Sequence, residues 1–272
     1  MSDAEKFFVY EKFIVWDSHT MVSLIIIAIG LLAGILSGLF GLAGGTIIVP
    51  GLMIFAQYTQ LHSSATSLAS NLFPVGLFGV ITYYKKGHVS IRIVTELALG
   101  ILIGAWCGSF IALGLSPFTL KMSFGIFLTL LSLRYFFFRN AKNTDESTFP
   151  KTPFYALPLT GFTAGILSGL FGIGGGAIMV PIMTEVLNFT QKKAAASSLA
   201  ALLLPVGLFG VINFHNQGLV NWTSATLIML GLIVGIFLGA KLNLKAPEKK
   251  VRLGYGAYLL VIGLGFIGAA LF

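Results

Sequence analysis

Charge is scarce in this sequence. Only 10% of its residues are charged, against about 25% in a soluble domain, and 56% are hydrophobic. That balance excludes a soluble globular protein. The single cysteine, Cys107, excludes an intramolecular disulfide and any cysteine-based metal site. The alternating polar and apolar strands of a membrane β-barrel are absent. No Ser/His or Asp/Glu constellation lies within the apolar stretches, so an intramembrane enzyme has no machinery to work with. Neither a cofactor nor a metal is expected; His62 and His88 lie at loop edges without ligand spacing. The net charge of +8 does not point to nucleic acid, because the basic residues sit in short loops between apolar spans, where they act as topology signals. Residues 1–20 do not read as a secretory signal, since Asp3, Glu5, Glu11 and Asp17 are mixed with Lys6 and Lys12. Their Phe7, Phe8, Tyr10, Phe13, Ile14 and Trp16 predict a short helix in the membrane interface.

What the chain does contain is a copy of itself. The stretch from Ala33 to Gly41 recurs letter for letter from Ala164 to Gly172, an offset of 131. At the same offset Pro74 to Ile81 recurs as Pro205 to Ile212, and Gly100, Gly104 and Gly108 fall on Gly231, Gly235 and Gly239. A long internal repeat in an apolar chain is characteristic of secondary transporters whose site lies between the copies. The expected fold is an all-α integral membrane protein of two inverted-topology repeats, with about five hydrophobic helices in each. The apolar segments fall at 22–42, 46–57, 64–83, 92–113 and 118–138, then at 154–174, 177–188, 194–214, 223–243 and 253–272. One of each five is short and follows a glycine-rich break. The organisation is an interfacial segment 1–20, repeat 1 over 21–138, a polar cytoplasmic linker 139–153 and repeat 2 over 154–272.

Loop charge sets the orientation. Lys85, Lys86 and Arg92, then Arg139, Lys142 and Lys151, then Lys192 and Lys193, then Lys241 to Arg252 all lie inside if each half crosses five times. Equivalent loops differ in charge: Lys85 and Lys86 match Asn216 and Gln217, and Lys192 and Lys193 match Leu61 and His62. Inverted halves account for this difference. Both termini then lie outside. Re-entrant short segments would instead give four crossings and parallel halves, which the charges oppose.

The breaks at Gly41–Thr46 and Gly172–Ala177 carry the chemistry. Glycine disfavours helix, so a new helix starts at Thr46 and at Ala177 with amides that need partners in hydrocarbon. An anion is a natural partner for that positive helix end. The candidate binding groups are the backbone N–H groups of Gly44, Gly45, Thr46, Gly175, Gly176 and Ala177, with side-chain donors from Ser67, Asn71 and Ser198. The bland alternatives are close helix packing by the glycines and interhelical hydrogen bonding by the serines. Gly172, Gly174 and Gly176 do not form a dinucleotide loop, since no strand precedes them. The Gly-x-x-x-Gly sets mark close helix contacts, with a homodimer interface the lesser reading. Glu185, on the second short segment, is the candidate for a coupling proton; its plain alternative is an interfacial carboxylate near Lys192.

The duplicated Gly-Leu-Phe-Gly-(Leu/Ile)-(Ala/Gly)-Gly-Gly…Val-Pro motif resembles that of the sulfite exporter TauE/SafE family of membrane permeases. Ala65 to Ala69, Ala196 to Ala200 and the Pro-x-Gly blocks extend the likeness across nearly the whole chain beyond residue 20. The resemblance implies an inner-membrane exporter or importer of small sulfur-containing anions: sulfite, thiosulfate or organosulfonates. Ala43 stands where the second copy has Gly174, and Thr46 where it has Ala177, changes that would shape an asymmetric pocket. The partners expected are a small anion and the lipid bilayer. An anion channel with the same site is the alternative function.

Overall fold

A computed structural model describes residues 3–40, 44–74, 76–137, 149–150, 152–243 and 248–271. Among the described residues all regular structure is helical. The first half holds α1 (Asp3–Phe40), α2 (Gly45–Phe55), α3 (Gln60–Ser70), α4 (Leu77–Lys85), α5 (Ile91–Gly114) and α6 (Pro117–Phe137). The second holds α7 (Ala156–Phe171), α8 (Gly176–Glu185), α9 (Gln191–Ala201), α10 (Leu208–Asn216), α11 (Trp222–Asn243) and α12 (Glu248–Leu271). Among the described residues four stretches are long and apolar enough to cross a membrane: Met21–Leu39, Ile91–Gly114, Trp222–Gly239 and Leu253–Leu271.

Two expectations are corrected. The stretches 64–83 and 194–214 are not single helices. Each divides in two, at 71–76 and 202–207. Pro74 and Pro205 lie in these gaps; each lacks an amide hydrogen and pushes its predecessor out of the helical region. Among the described residues each half therefore has six helices with three short ones, rather than five with one. Residues 3–20 do not form a separate interfacial helix but continue without a break into the first apolar stretch as α1. Most of the 139–153 linker lies outside the described residues, as do Gly41, Leu42 and Ala43 of the first break.

Helix faces explain the packing. On α5, Leu99, Ile103, Trp106 and Phe110 are exposed apolar residues at helical spacing, a stripe suited to lipid. The other face carries Gly100, Gly104 and Gly108, which are buried. Lipid tails supply no hydrophobic drive between helices, so association depends on close backbone approach. A methyl group on Gly104 would stand 2.2 Å from the Phe162 carbonyl oxygen of α7, and one on Gly235 2.3 Å from that of Leu31 on α1. These two contacts are equivalent under the repeat. So are Gly100 on Pro158 and Gly231 on Ile27, and Gly108 on Ile166 and Gly239 on Ile35. The Gly-x-x-x-Gly sets are thus used inside the chain. The first long helix of each half lies parallel to the penultimate helix of the other half, α1 on α11 and α7 on α5.

The last helices of the two halves, α6 and α12, pack on each other. Their order of contact is reversed: Phe124 meets Phe266, and Tyr135 meets Tyr255. These equivalent helices therefore run antiparallel. The short helices α2, α3, α8 and α9 lie within this frame, and the glycine-preceded starts of α2 and α8 are buried.

Candidate functional site

The two short helices begin one residue earlier than expected, at Gly45 and Gly176. In α2 the amides of Ile47 and Ile48 donate to the Gly44 carbonyl at 2.9 and 3.0 Å. In α8 those of Ile178 and Met179 donate to Gly175 at 3.1 and 2.9 Å. The amides of Gly45, Thr46, Gly176 and Ala177 thus head their helices with no intrahelical acceptor, at the positive end of each dipole. The second break turns through Gly172 and Gly174, whose φ values of +68° and +69° suit glycine. Gly44, Gly45, Thr46, Gly175, Gly176 and Ala177 are all buried.

The breaks come together. A methyl group on Gly45 would stand 2.2 Å from the Gly172 carbonyl oxygen and 2.4 Å from the Ile173 Cα. Helix α3 closes over the same point. The Ser67 hydroxyl donates to the Gly172 carbonyl at 2.6 Å, and the Ser64 backbone packs directly on Gly172. Asn71, half-buried at the end of α3, turns its amide back to the Ser67 carbonyl at 2.8 Å. In this conformation the protons of Ser67 and the Asn71 amide thus serve the protein's own carbonyls. Ser67 is a strut of the second break.

Ser198 differs. It occupies in repeat 2 the position of Ser67, is fully buried, and its hydroxyl makes no hydrogen bond. Ser197 on the same helix and Ser63 and Ser64 on α3 are also buried and unpartnered. Hydroxyls on helices ordinarily bond back to the preceding turn; Ser70, Ser109 and Thr160 do so here. Most buried polar groups have partners, and each exception calls for a physical reason.

A third feature went unseen in the sequence. The Thr46 hydroxyl lies 2.5 Å from that of Tyr255 on α12, and the Tyr258 hydroxyl reaches the Thr46 carbonyl at 3.4 Å. Tyr135 of α6 meets the Tyr255 ring edge-on at 5.1 Å. The signal was available in the repeat: Tyr255, Tyr258 and Tyr135 match Phe124, Phe127 and Phe266.

Glu185 ends α8, about 14 Å along the axis from Gly176 at the helical rise. Its carboxylate pairs with the Arg134 guanidinium at 2.7 Å. That partner lies on α6, in the other half of the chain.

The helices and their buried polar breaks define a multi-pass membrane protein of the transporter class. The chain belongs to the sulfite exporter TauE/SafE family, which matches residues 26–266. It is 30% identical to a probable membrane transporter protein of Bacillus subtilis, over 93% of this chain and all of the relative. A probable membrane transporter protein of Methanocaldococcus jannaschii is 27% identical, over 88% of this chain and 93% of the relative. A third, from Xylella fastidiosa, is 31% identical over 90% of this chain and 94% of the relative. No solved structure matches the chain.

Proposed function

We propose that this protein is a secondary transporter, an exporter by its family resemblance, of small sulfur-containing anions such as sulfite, thiosulfate or organosulfonates. The anion sits beside the junction of the two breaks, between inverted repeats, and rocking of one repeat against the other alternates access. The observation that carries the reading is the set of buried hydroxyls without partners on α3 and α9, with α3 packed on the second break and two helices headed by amides. Dipoles and hydroxyls suit such a guest, since a basic side chain at mid-membrane costs at least about 2.5 kcal/mol on insertion scales. Inversion is supported by the antiparallel pairing of α6 and α12 and by the charge difference between equivalent loops.

In this reading Gly44, Gly45, Thr46, Gly175, Gly176 and Ala177 present backbone to the anion. Ser198 supplies a hydroxyl, and Ser67 and Asn71 hold the second break. Glu185 carries the coupling proton, taking it from the aqueous side when it parts from Arg134 and releasing it when the pair re-forms. The protein lies in the inner membrane with both termini outside. The test is a thermal-shift screen of detergent-purified chain against sulfite, thiosulfate, sulfate, sulfoacetate, phosphate and chloride. A true ligand raises the melting temperature with concentration. Indifference to every sulfur oxyanion contradicts the reading.

A further inference from the structure

The surroundings of the two helix tips differ in their oxygens. Around α2 stand Thr46, Tyr255, Tyr258 and Tyr135. The repeat places Ala177, Phe124, Phe127 and Phe266 around α8. The rings and their packing are retained: Tyr135 meets Tyr255 at 5.1 Å and 89°, and Phe266 meets Phe124 at 5.3 Å and 77°. Ala177 lies in the same buried cluster as Phe124, Phe171 and Phe266. Packing therefore explains the aromatic rings but not the oxygens. Thr46, Tyr255 and Tyr258 bring three hydroxyls to one tip, and the equivalent Ala177, Phe124 and Phe127 bring none to the other.

Burying a hydroxyl in apolar surroundings is costly, so oxygens confined to one end need a physical reason. Thr46, Tyr255 and Tyr258 bond among themselves at the α2 tip. Each hydroxyl can rotate to aim its proton at an incoming oxygen.

Resting on the proposed anion site, we propose that Tyr255 and Tyr258 are specificity-determining residues. They complete a hydroxyl lining at the α2 tip, so that the anion is held there by its oxygen-bearing end. The rest of the ligand faces the phenylalanine wall at the α8 tip. The ligand class is then an anion charged at one end and apolar or polarisable at the other. An anion charged at both ends fits poorly, because its second charge would meet rings without donors.

The test uses the full chain in detergent, with ethanesulfonate as the one-ended probe and sulfoacetate as the two-ended one. Wild type should bind ethanesulfonate the more tightly. Tyr255→Phe removes one oxygen, keeps the ring and installs the residue used at the other tip. It should weaken ethanesulfonate about tenfold, the loss of one hydrogen bond to a charged group, and lower the ligand-free melting temperature, since Thr46 loses its buried partner. Tyr258→Phe should weaken it less. Phe124→Tyr adds an oxygen at the dry tip and should shift preference toward sulfoacetate; it decides the matter should Tyr255→Phe fail to fold. Wild-type affinity in both tyrosine variants, or a wild-type preference for sulfoacetate, overturns the inference and leaves the transport reading standing. Failure of wild type to bind either probe or sulfite contradicts both.

Discussion

The backbone of Gly45 lies directly on that of Gly172. No room for a side chain remains between the start of α2 and the turn before α8, where a methyl group would fall 2.2 Å from the Gly172 oxygen. Two glycine breaks separated by more than a hundred residues form a single junction, and α3 is pinned to it by the hydroxyl of Ser67.

Gly45→Ala should therefore destabilise the protein. The atoms it meets are backbone, which cannot swing aside as a flexible side chain would. Overpacking of this kind costs about 1–3 kcal/mol. A clear fall in the melting temperature of the purified protein is expected; an unchanged value would show that the junction is looser than described.

Ser67 and Ser198 should behave oppositely despite their equivalent positions. Ser67→Ala leaves the buried Gly172 carbonyl without its partner, a loss of about 1–3 kcal/mol of stability. Ser198→Ala removes an unpartnered hydroxyl. It should leave ligand-free stability unchanged or raised, while weakening sulfite binding by about 1–2 kcal/mol. Melting curves with and without sulfite check both. A stability loss in Ser198→Ala with unchanged binding would assign its hydroxyl to the fold.

Gly104→Leu and Gly235→Leu should be equally damaging. Each forces a side chain into the carbonyl of the helix alongside, Phe162 in one case and Leu31 in the other. Yield of monodisperse protein after purification is the readout. Leucine tolerated at one site only would mean that the two interfaces are not equivalent.

The Arg134–Glu185 pair should contribute little to stability. The two side chains are 21% and 36% exposed, and pairs of this kind are worth about 0–1 kcal/mol. If Glu185 carries the coupling proton, Glu185→Gln abolishes transport driven by a pH gradient and spares exchange of anion for anion. Equal loss of both would make the carboxylate structural.

Much of this arrangement was legible in the chain. The repeat revealed equivalent halves before any helix was placed. The scarcity of charge indicated the membrane, and glycine clusters marked both breaks within one residue. The kinks at Pro74 and Pro205 were missed because apolar periodicity runs across them; one missing amide hydrogen outweighs that pattern locally. The use of Ser67 as a strut was not legible either. Its partner lies across the repeat boundary, and only packing brings Gly172 to it. The tyrosine lining escaped because aromatic residues in an apolar span read as core. Their significance emerges only when each is set against its phenylalanine counterpart.

Exchange in proteoliposomes tests the central claim most directly. Vesicles holding the purified chain are loaded with unlabelled sulfite, and entry of labelled sulfite is followed without a net gradient. An anion carried between two rocking halves predicts entry accelerated by sulfite on the far side and sharply reduced in Ser198→Ala. Entry indifferent to far-side sulfite, or steady single-channel currents, would contradict it.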